Sequence, residues 1–260
     1  MEKNAIDRIT SAKNPTVLRL RELKNAKARR ESGRFLVEGE VMIREALGCG
    51  LHLAEAVYDE SRAAFAAELE AGGLRVLPVT RSLLESICDT KTPQGIVAAF
   101  EIPSPMPFEA LPERIVALDG VQDPGNVGTI WRTADAAGFQ ALLLGAGSAD
   151  PLSPKVQRAA MGSGFRLPFC HSAALDETLL ALRASGYRIY ASDLSGADFY
   201  AREDAGERFV LVIGNEARGI SGAVRNAADC RVKLPMRGGA ESLNAAVAAG
   251  IMMYELMRGR

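Results

Sequence analysis

The chain has 260 residues, 48% of them hydrophobic and 24% charged, with a formal net charge of −1. That length supports one large domain or two ordinary ones with a full core, and the balance of residue types excludes wholesale disorder and fibrous repeats. Aromatic residues make up only 6%, while Ala, Gly and Leu carry the apolar content, which favours layered, helix-rich packing over an all-β sandwich.

The first ten residues, MEKNAIDRIT, lack the apolar stretch of a signal peptide. No apolar run nears the roughly 18 residues of a membrane span. Cys49, Cys88, Cys170 and Cys230 are far apart, without a C-x-x-C pair, and the only histidines are His52 and His171. These spacings predict four reduced thiols in a cytoplasmic protein, with no structural zinc or other metal. Residues 13–34 carry eight basic groups (Lys13, Arg19, Arg21, Lys24, Lys27, Arg29, Arg30 and Arg34) against Glu22 and Glu31. Such a local excess on a near-neutral chain suits nucleic acid or a solvated helix face equally.

Within that segment Asn14 and Pro15 predict a helix N-cap and first position, and Gly33 a stop. Strands at Phe35–Val37, Ala56–Tyr58, Arg75–Val79 and Gly95–Phe100 alternate with helices at Val41–Leu47, Arg62–Leu69 and Leu83–Cys88. This is a small α/β domain over residues 1–102. Pro103, Pro105, Pro107 and Pro112 fall in one stretch, and residues 103–113 read as an extended linker. The second domain, 114–260, has short strands that are apolar at nearly every position: IVALD (115–119), ALLLG (141–145), RIYAS (188–192) and FVLVIG (209–214), with RVKLP (231–235) a weaker fifth. Unbroken apolar runs predict a parallel sheet covered on both faces. A long Ala-rich helix, Ser242 to about Met257, closes the chain and is apolar on more than one face.

Parallel sheets bind ligands beyond the carboxyl ends of their strands, and three dense segments occupy those places. The first puts Gly125, Asn126 and Gly128 at a strand-to-helix turn, with Arg132 a helical turn further on. Close amide approach to an anion and a simple tight turn with a solvated Arg132 explain it equally well. The second puts Gly214, Asn215, Glu216 and Gly219 after a buried strand, where the carboxylate must meet a cation or a ligand donor, or else act as a helix cap. The third offers Ser242 and Asn244 as ligands or as caps of the last helix. GAGSAD (145–150) lacks the third glycine of a dinucleotide fingerprint, so an oxidoreductase ranks last, and Walker, G-x-S-x-G and H-E-x-x-H motifs are missing. His171 reads as a surface or packing residue.

The segments NVGTIWRTA, LVIGNEARGIS and VKLPMRGGAESLNAAVAAGIMMYE, in this order, resemble the three motifs of the SpoU (TrmH-like) RNA methyltransferases of the SPOUT superfamily. The N-terminal SAKNPTVLRLRELKNAKARRESGRFLVEGEVMIREAL is similar to the ribosomal-protein-like RNA-binding domain often fused ahead of them. The resemblance implies a parallel-sheet catalytic domain with a deep trefoil knot and S-adenosylmethionine (SAM) as methyl donor without a metal. It also implies a homodimer whose active sites include both subunits, and transfer to a ribose 2′-hydroxyl, with large-subunit rRNA favoured over tRNA. Asn126, Arg132, Glu216, Ser242 and Asn244 match the family's polar motif positions. Gly214, Leu234, Met236 and Leu243 match its cofactor loops, and Arg237 lies in a variable stretch and receives no role.

The sulfonium of SAM is already electrophilic, so the implied enzyme must align the reacting atoms and help the hydroxyl lose its proton. A guanidinium gives up a proton poorly, so clamping the adjacent phosphate asks less of Arg132 than a general-base role. Lys13, Arg19, Lys24, Lys27, Arg29, Arg30 and Arg34 are the candidate RNA phosphate contacts. A catalytically silent RNA-binding or ribosome-assembly factor is the rival of another class, and retention of Asn126, Arg132, Glu216 and Asn244 argues against it.

Overall fold

The structure, a computed structural model, describes residues 8–90 and 92–259; most of the N-terminal decapeptide lies outside this range. The chain divides into two compact units, Met1–Ser104 with Leu152–Gln157, and Pro105–Pro151 with Arg158–Arg260.

The first unit holds α1 (Pro15–Glu22), α2 (Ala26–Ser32), β1 (Arg34–Glu38), α3 (Glu40–Gly48), β2 (Leu53–Tyr58), α4 (Ala63–Ala71), β3 (Val76–Pro78), α5 (Arg81–Ile87) and β4 (Ile96–Glu101). Its sheet has the order β1-β4-β2-β3, antiparallel except for the β2–β3 pair. Asn14 caps α1 as expected, accepting from the Thr16 amide at 2.9 Å, and Gly33 ends α2 at φ 64°. The predicted single helix is nevertheless two. Asn25 starts a second cap, accepting from the Lys27 amide at 2.8 Å, and Arg29 reaches back to the Leu23 and Lys24 carbonyls at 2.7 and 2.9 Å. Those are acceptors that the end of α1 leaves open.

The second part of the chain adds β5 (Arg114–Asp119), α6 (Pro124–Ala137), β6 (Ala141–Gly145), α7 (Pro154–Ala160), α8 (Ser163–Arg166), β7 (Phe169–Ser172), α9 (Leu175–Ala184), β8 (Arg188–Asp198), β9 (Phe209–Gly214), α10 (Gly222–Ala227), β10 (Cys230–Lys233) and α11 (Ala245–Leu256). All pairs in its six-stranded sheet, ordered β10-β8-β9-β5-β6-β7, are parallel. Ile115–Leu118 and Val210–Val212 are inaccessible to solvent on both faces, as the unbroken apolar runs predict. β7 has no counterpart among the predicted strands, because FCHS mixes polar and apolar side chains.

β8 runs well past the predicted RIYAS. Tyr190 and Ala191 pair with Cys230 and Arg231, after which the register jumps so that Val232 pairs with Ala197. Residues 192–196 are thereby expelled from the ladder, as in a large bulge. Gly196 is the residue that permits it, since a Cβ there would lie 2.5 Å from the Val232 nitrogen. The final helix starts at Ala245 and leaves Ser242 in the preceding loop. Among the described residues no helix is long and apolar enough to cross a membrane.

Candidate functional site

β5 and β9 are neighbours, and their last residues, Asp119 and Gly214, face each other in register. Because β6 and β7 extend the sheet to one side of β5, and β9, β8 and β10 to the other, this is the point where strand order reverses and ligands collect. The segment after β9 is tied to the end of β5 by the Asn215 side chain, donating to the Gly120 carbonyl at 2.8 Å, and by the Ser221 amide, donating to Asp119 Oδ2 at 2.6 Å. Asn215 also accepts from the Ala217 and Arg218 amides, closing a tight loop. Gly214 must be glycine, because a Cβ would lie 2.3 Å from the backbone of Gly219 and Ile220.

The predicted turn at Gly125–Gly128 is instead helical from Pro124 onward. Asp123 is the N-cap, accepting from the Asn126 amide at 2.8 Å, and Pro124 sits where a missing N–H costs nothing. The amides of Gln122 and Asp123 face an anion, but the anion is part of the chain: they donate to Glu216 Oε2 and Oε1, each at 3.1 Å. Asn126 Nδ2 donates to Glu216 Oε1 at 2.9 Å, and Asn244 Nδ2 donates to Asn126 Oδ1 at 2.9 Å. Asn244 Oδ1 in turn caps α11, accepting from the Ala246 and Val247 amides at 2.9 and 3.2 Å. Capping and site-building are thus one interaction for Asn244. The donors facing Glu216 are the Asn126 side chain and two backbone amides at the start of α6, so of the alternatives open in the sequence it is the cap-like one that the structure shows.

A cavity of about 730 Å³ opens beside this relay. Gly214, Glu216, Leu234, Met236, Ser242, Leu243 and Asn244 all line it, so the structure gathers most of the sequence candidates. The expelled stretch of β8 supplies further lining from Ser192, Asp193, Leu194 and Ser195, which sequence reading missed. Asp193 is buried, accepting from the Ser195 amide at 3.0 Å and lying 3.0 Å from Arg225 Nε. Burial pushes its carboxyl pKa up, but the Ser195 hydrogen bonds and the charges of Arg225 and Arg231 outweigh that and hold it low. Local propensity carries no signal for Asp193, because only the distant pairing with β10 expels it.

Arg132 is not gathered. It is exposed on α6, lies outside the cavity lining and, among the described residues, has no hydrogen-bond or ion-pair partner. Asn126 is also outside the lining, buried behind it and bonded to Glu216 and Asn244, so within one chain Arg132 and Asn126 do not face a common crevice. His171 is exposed at the edge strand β7, where partial desolvation by the surrounding chain lowers its imidazole pKa against the opposing charge of Asp150.

The basic segment also needs correction. Arg29 is 3% exposed and bonded to backbone carbonyls, so it is an internal brace and no phosphate contact. Arg19 donates to Glu55 at 2.8 and 3.1 Å, Arg34 lies 3.9 Å from the same carboxylate, and Lys24 donates to the Ser86 carbonyl. Glu55 is itself 3% exposed, so these cations answer a buried charge. Lys13, Lys27 and Arg30 remain outward-facing. No group of three or more His, Cys, Asp or Glu suited to a metal ion occurs among the described residues.

Residues 113–254 match the SpoU rRNA Methylase family, and residues 14–98 the MRM3-like substrate binding domain. The chain is 37% identical to the 23S rRNA (guanosine(2553)-2′-O)-methyltransferase RlmP of Bacillus subtilis, over 95% of this chain and 98% of that protein. Among solved structures, the AdoMet-bound rRNA methyltransferase from Sinorhizobium meliloti is 35% identical over 97% of each chain, with a TM-score of 0.86. The SpoU methyltransferase AviRb from Streptomyces viridochromogenes, in complex with AdoMet, is 32% identical over 95% of this chain and 98% of that one, with a TM-score of 0.83.

Burial pushes the Glu216 pKa up, but the hydrogen bonds from Asn126 and from the Gln122 and Asp123 amides overcome this and hold it below its ordinary value of 4.5. A carboxyl lowered in this way contributes stability that is present above its ordinary value and lost as pH falls through the lowered one. Denaturant midpoints measured from about pH 6 down to about pH 3 should therefore fall less steeply in Glu216→Gln than in the unaltered chain. Equal slopes would remove Glu216 from its place as the acceptor of these bonds.

Proposed function

The chain belongs to the SpoU rRNA methylase family, and on that premise we propose that it methylates a ribose 2′-hydroxyl of large-subunit rRNA with SAM as donor. The observation that carries the reading is the Glu216–Asn126–Asn244 relay, which fastens three strand-end segments around one cavity. The residues fit the donor. Glycine backbone at Gly214 and apolar Leu234, Met236 and Leu243 suit an adenine ring and a thioether-like chain, and about 730 Å³ is ample for one such molecule.

When bound, SAM supplies an electrophilic methyl group. Gly214, Leu234, Met236 and Leu243 hold it, while Asn126, Glu216 and Asn244 fix the loops that do so. Ser242, exposed at the rim, presents a hydroxyl toward the acceptor ribose. The lowered pKa of Glu216 suits it to holding loops and makes it a weak proton acceptor. DNA lacks the acceptor hydroxyl, so RNA is the substrate.

α11 exposes Val247, Ile251 and Tyr254, the outer two 51% and 57% accessible, in one stripe along the helix. We infer that a second copy of the chain covers this stripe. α11 packs on α6, with its Gly250 against Thr133, the chain neighbour of Arg132, so Arg132, which does not reach the cavity of its own chain, is supplied across the interface to the partner's. There it clamps the phosphate beside the acceptor ribose. The polypeptide around the cavity is knotted in this reading. Residues 1–102 grip RNA, 103–113 link, 114–260 catalyse, and the protein works in the cytoplasm, away from membranes.

Incubation with methyl-labelled SAM and unmodified total RNA should label the large rRNA. Label confined to tRNA would overturn the substrate, and absence of both label and SAM binding would leave a silent RNA-binding protein. Arg132→Ala should lose at least about tenfold in kcat/KM and Arg132→Lys should recover only part of it, because the planar fork is missing. Full turnover by the lysine variant would rule out the bidentate clamp. In Ile251→Asp a buried charge should split the dimer, sedimenting as a monomer without labelling activity; an active dimer would refute this interface. Replacing Lys13, Lys27 and Arg30 together with Gln should lower the slope of log binding constant against log salt by about two. An unchanged slope would leave those residues as ordinary solvated charges.

A further inference from the structure

An arginine three residues before an aspartate on a helix is within reach of it, since positions i and i+3 are neighbours. Arg132 and Asp135 stand in that relation on α6, yet they do not pair. Asp135 Oδ2 instead accepts from Arg166, from Nε at 3.0 Å and from Nη2 at 2.7 Å. We propose that Arg166 is a positioning residue: by occupying Asp135 it keeps the Arg132 guanidinium unpaired and free to receive a phosphate. The inference rests on the phosphate-clamp reading of Arg132.

The local backbone is built to deliver Arg166. Met161, at φ 47°, and Gly162, at φ 84°, both adopt the left-handed region, which is uncommon for a residue with a side chain and persists where the surrounding structure enforces it. The reversal starts α8, a single turn that ends at Arg166 and lies against α6. Two contacts of Trp131, on α6, hold it there. Trp131, fully buried, donates through Nε1 to the Leu167 carbonyl at 3.0 Å and meets the Phe169 ring edge-on at 5.4 Å. Arg166 Nη2 also reaches Ser163 Oγ at 3.3 Å. Trp131 therefore turns inward and fixes the segment that carries Arg166, while its chain neighbour Arg132 turns outward. The Asp135 side chain is 23% exposed and that of Arg166 41%. A competing i,i+3 pair at such a site is worth at most about 1 kcal/mol, or a shift of about three- to fivefold.

The test is a cycle on the full-length chain with unmodified 23S rRNA transcript, together with the arginine Nε–Hε resonances of uniformly ¹⁵N-labelled protein. Arg166→Met should lower kcat/KM about three- to fivefold, Asp135→Asn should leave it near the original, and Arg166→Met/Asp135→Asn should restore it. A structural brace would instead make both single variants defective and the double no better, which would overturn the proposal. In Arg166→Met the Arg132 resonance should shift and become protected from exchange, and it should revert in the double variant. An Arg132 resonance indifferent to both changes would refute the inference even if no RNA were methylated. Activity retained in Arg132→Ala, with that resonance responding as expected, would instead refute the clamp while leaving the Arg166 competition standing.

Discussion

One carboxylate orients the whole site. Glu216 can only accept hydrogen bonds, so the amide of Asn126 must turn its NH₂ toward it and its oxygen away. That oxygen then requires the NH₂ of Asn244, whose own oxygen is left to face the first amides of α11. Each orientation is forced by the one before it, and the chain of bonds ends in a helix cap that α11 needs in any case. Segments following β5, β9 and β10, widely separated in sequence, are held at hydrogen-bond distance by three side chains. Charge-assisted bonds of this kind are shorter and stronger than neutral ones, and the lowered pKa keeps Glu216 in its accepting form at physiological pH.

The basic stretch at residues 13–34 shows how little a charge count says about where charge is available. Its excess is large on paper, yet Glu55, buried between β2 and α1, binds Arg19 and attracts Arg34. Arg29 serves carbonyls at the end of α1, and Lys24 serves the Ser86 carbonyl. A buried carboxylate without such partners would be strongly unfavourable, so these cations stabilise the small domain, and Arg19 and Arg34, although partly accessible, are already engaged by Glu55.

α6 and α11 divide the duties of the second unit. The inner side of α11 is buried through Ala246, Ala249, Met252, Met253 and Leu256, while the outer side keeps its apolar stripe. α6 buries Trp131 and sends Arg132 to solvent. A helix apolar on both sides suits an interior position, and the proposed second copy provides one. The same arrangement accounts for a cavity that is rich in loop residues and poor in charged groups from its own α6.

Much of the architecture was legible in residue order. The parallel sheet followed from strands apolar at every position, the α1 start from Asn14–Pro15, and the three strand-end segments from their Gly, Asn and Glu content. These are local facts, decided by side-chain type and spacing over a few residues. What sequence could not decide is pairing across long separations. The jump in register between β8 and β10 throws Asp193 into the cavity wall, Glu216 occupies the helix start where the sequence left a ligand and a plain turn equally open, Glu55 engages Arg19 and Arg34, and Arg166 takes the aspartate beside Arg132. In each case the partner lies tens of residues away, so the outcome depends on how the sheet and helices bring the two together and on which partner wins a shared charge. Composition and periodicity named the groups; only the packed chain settled which of them meet.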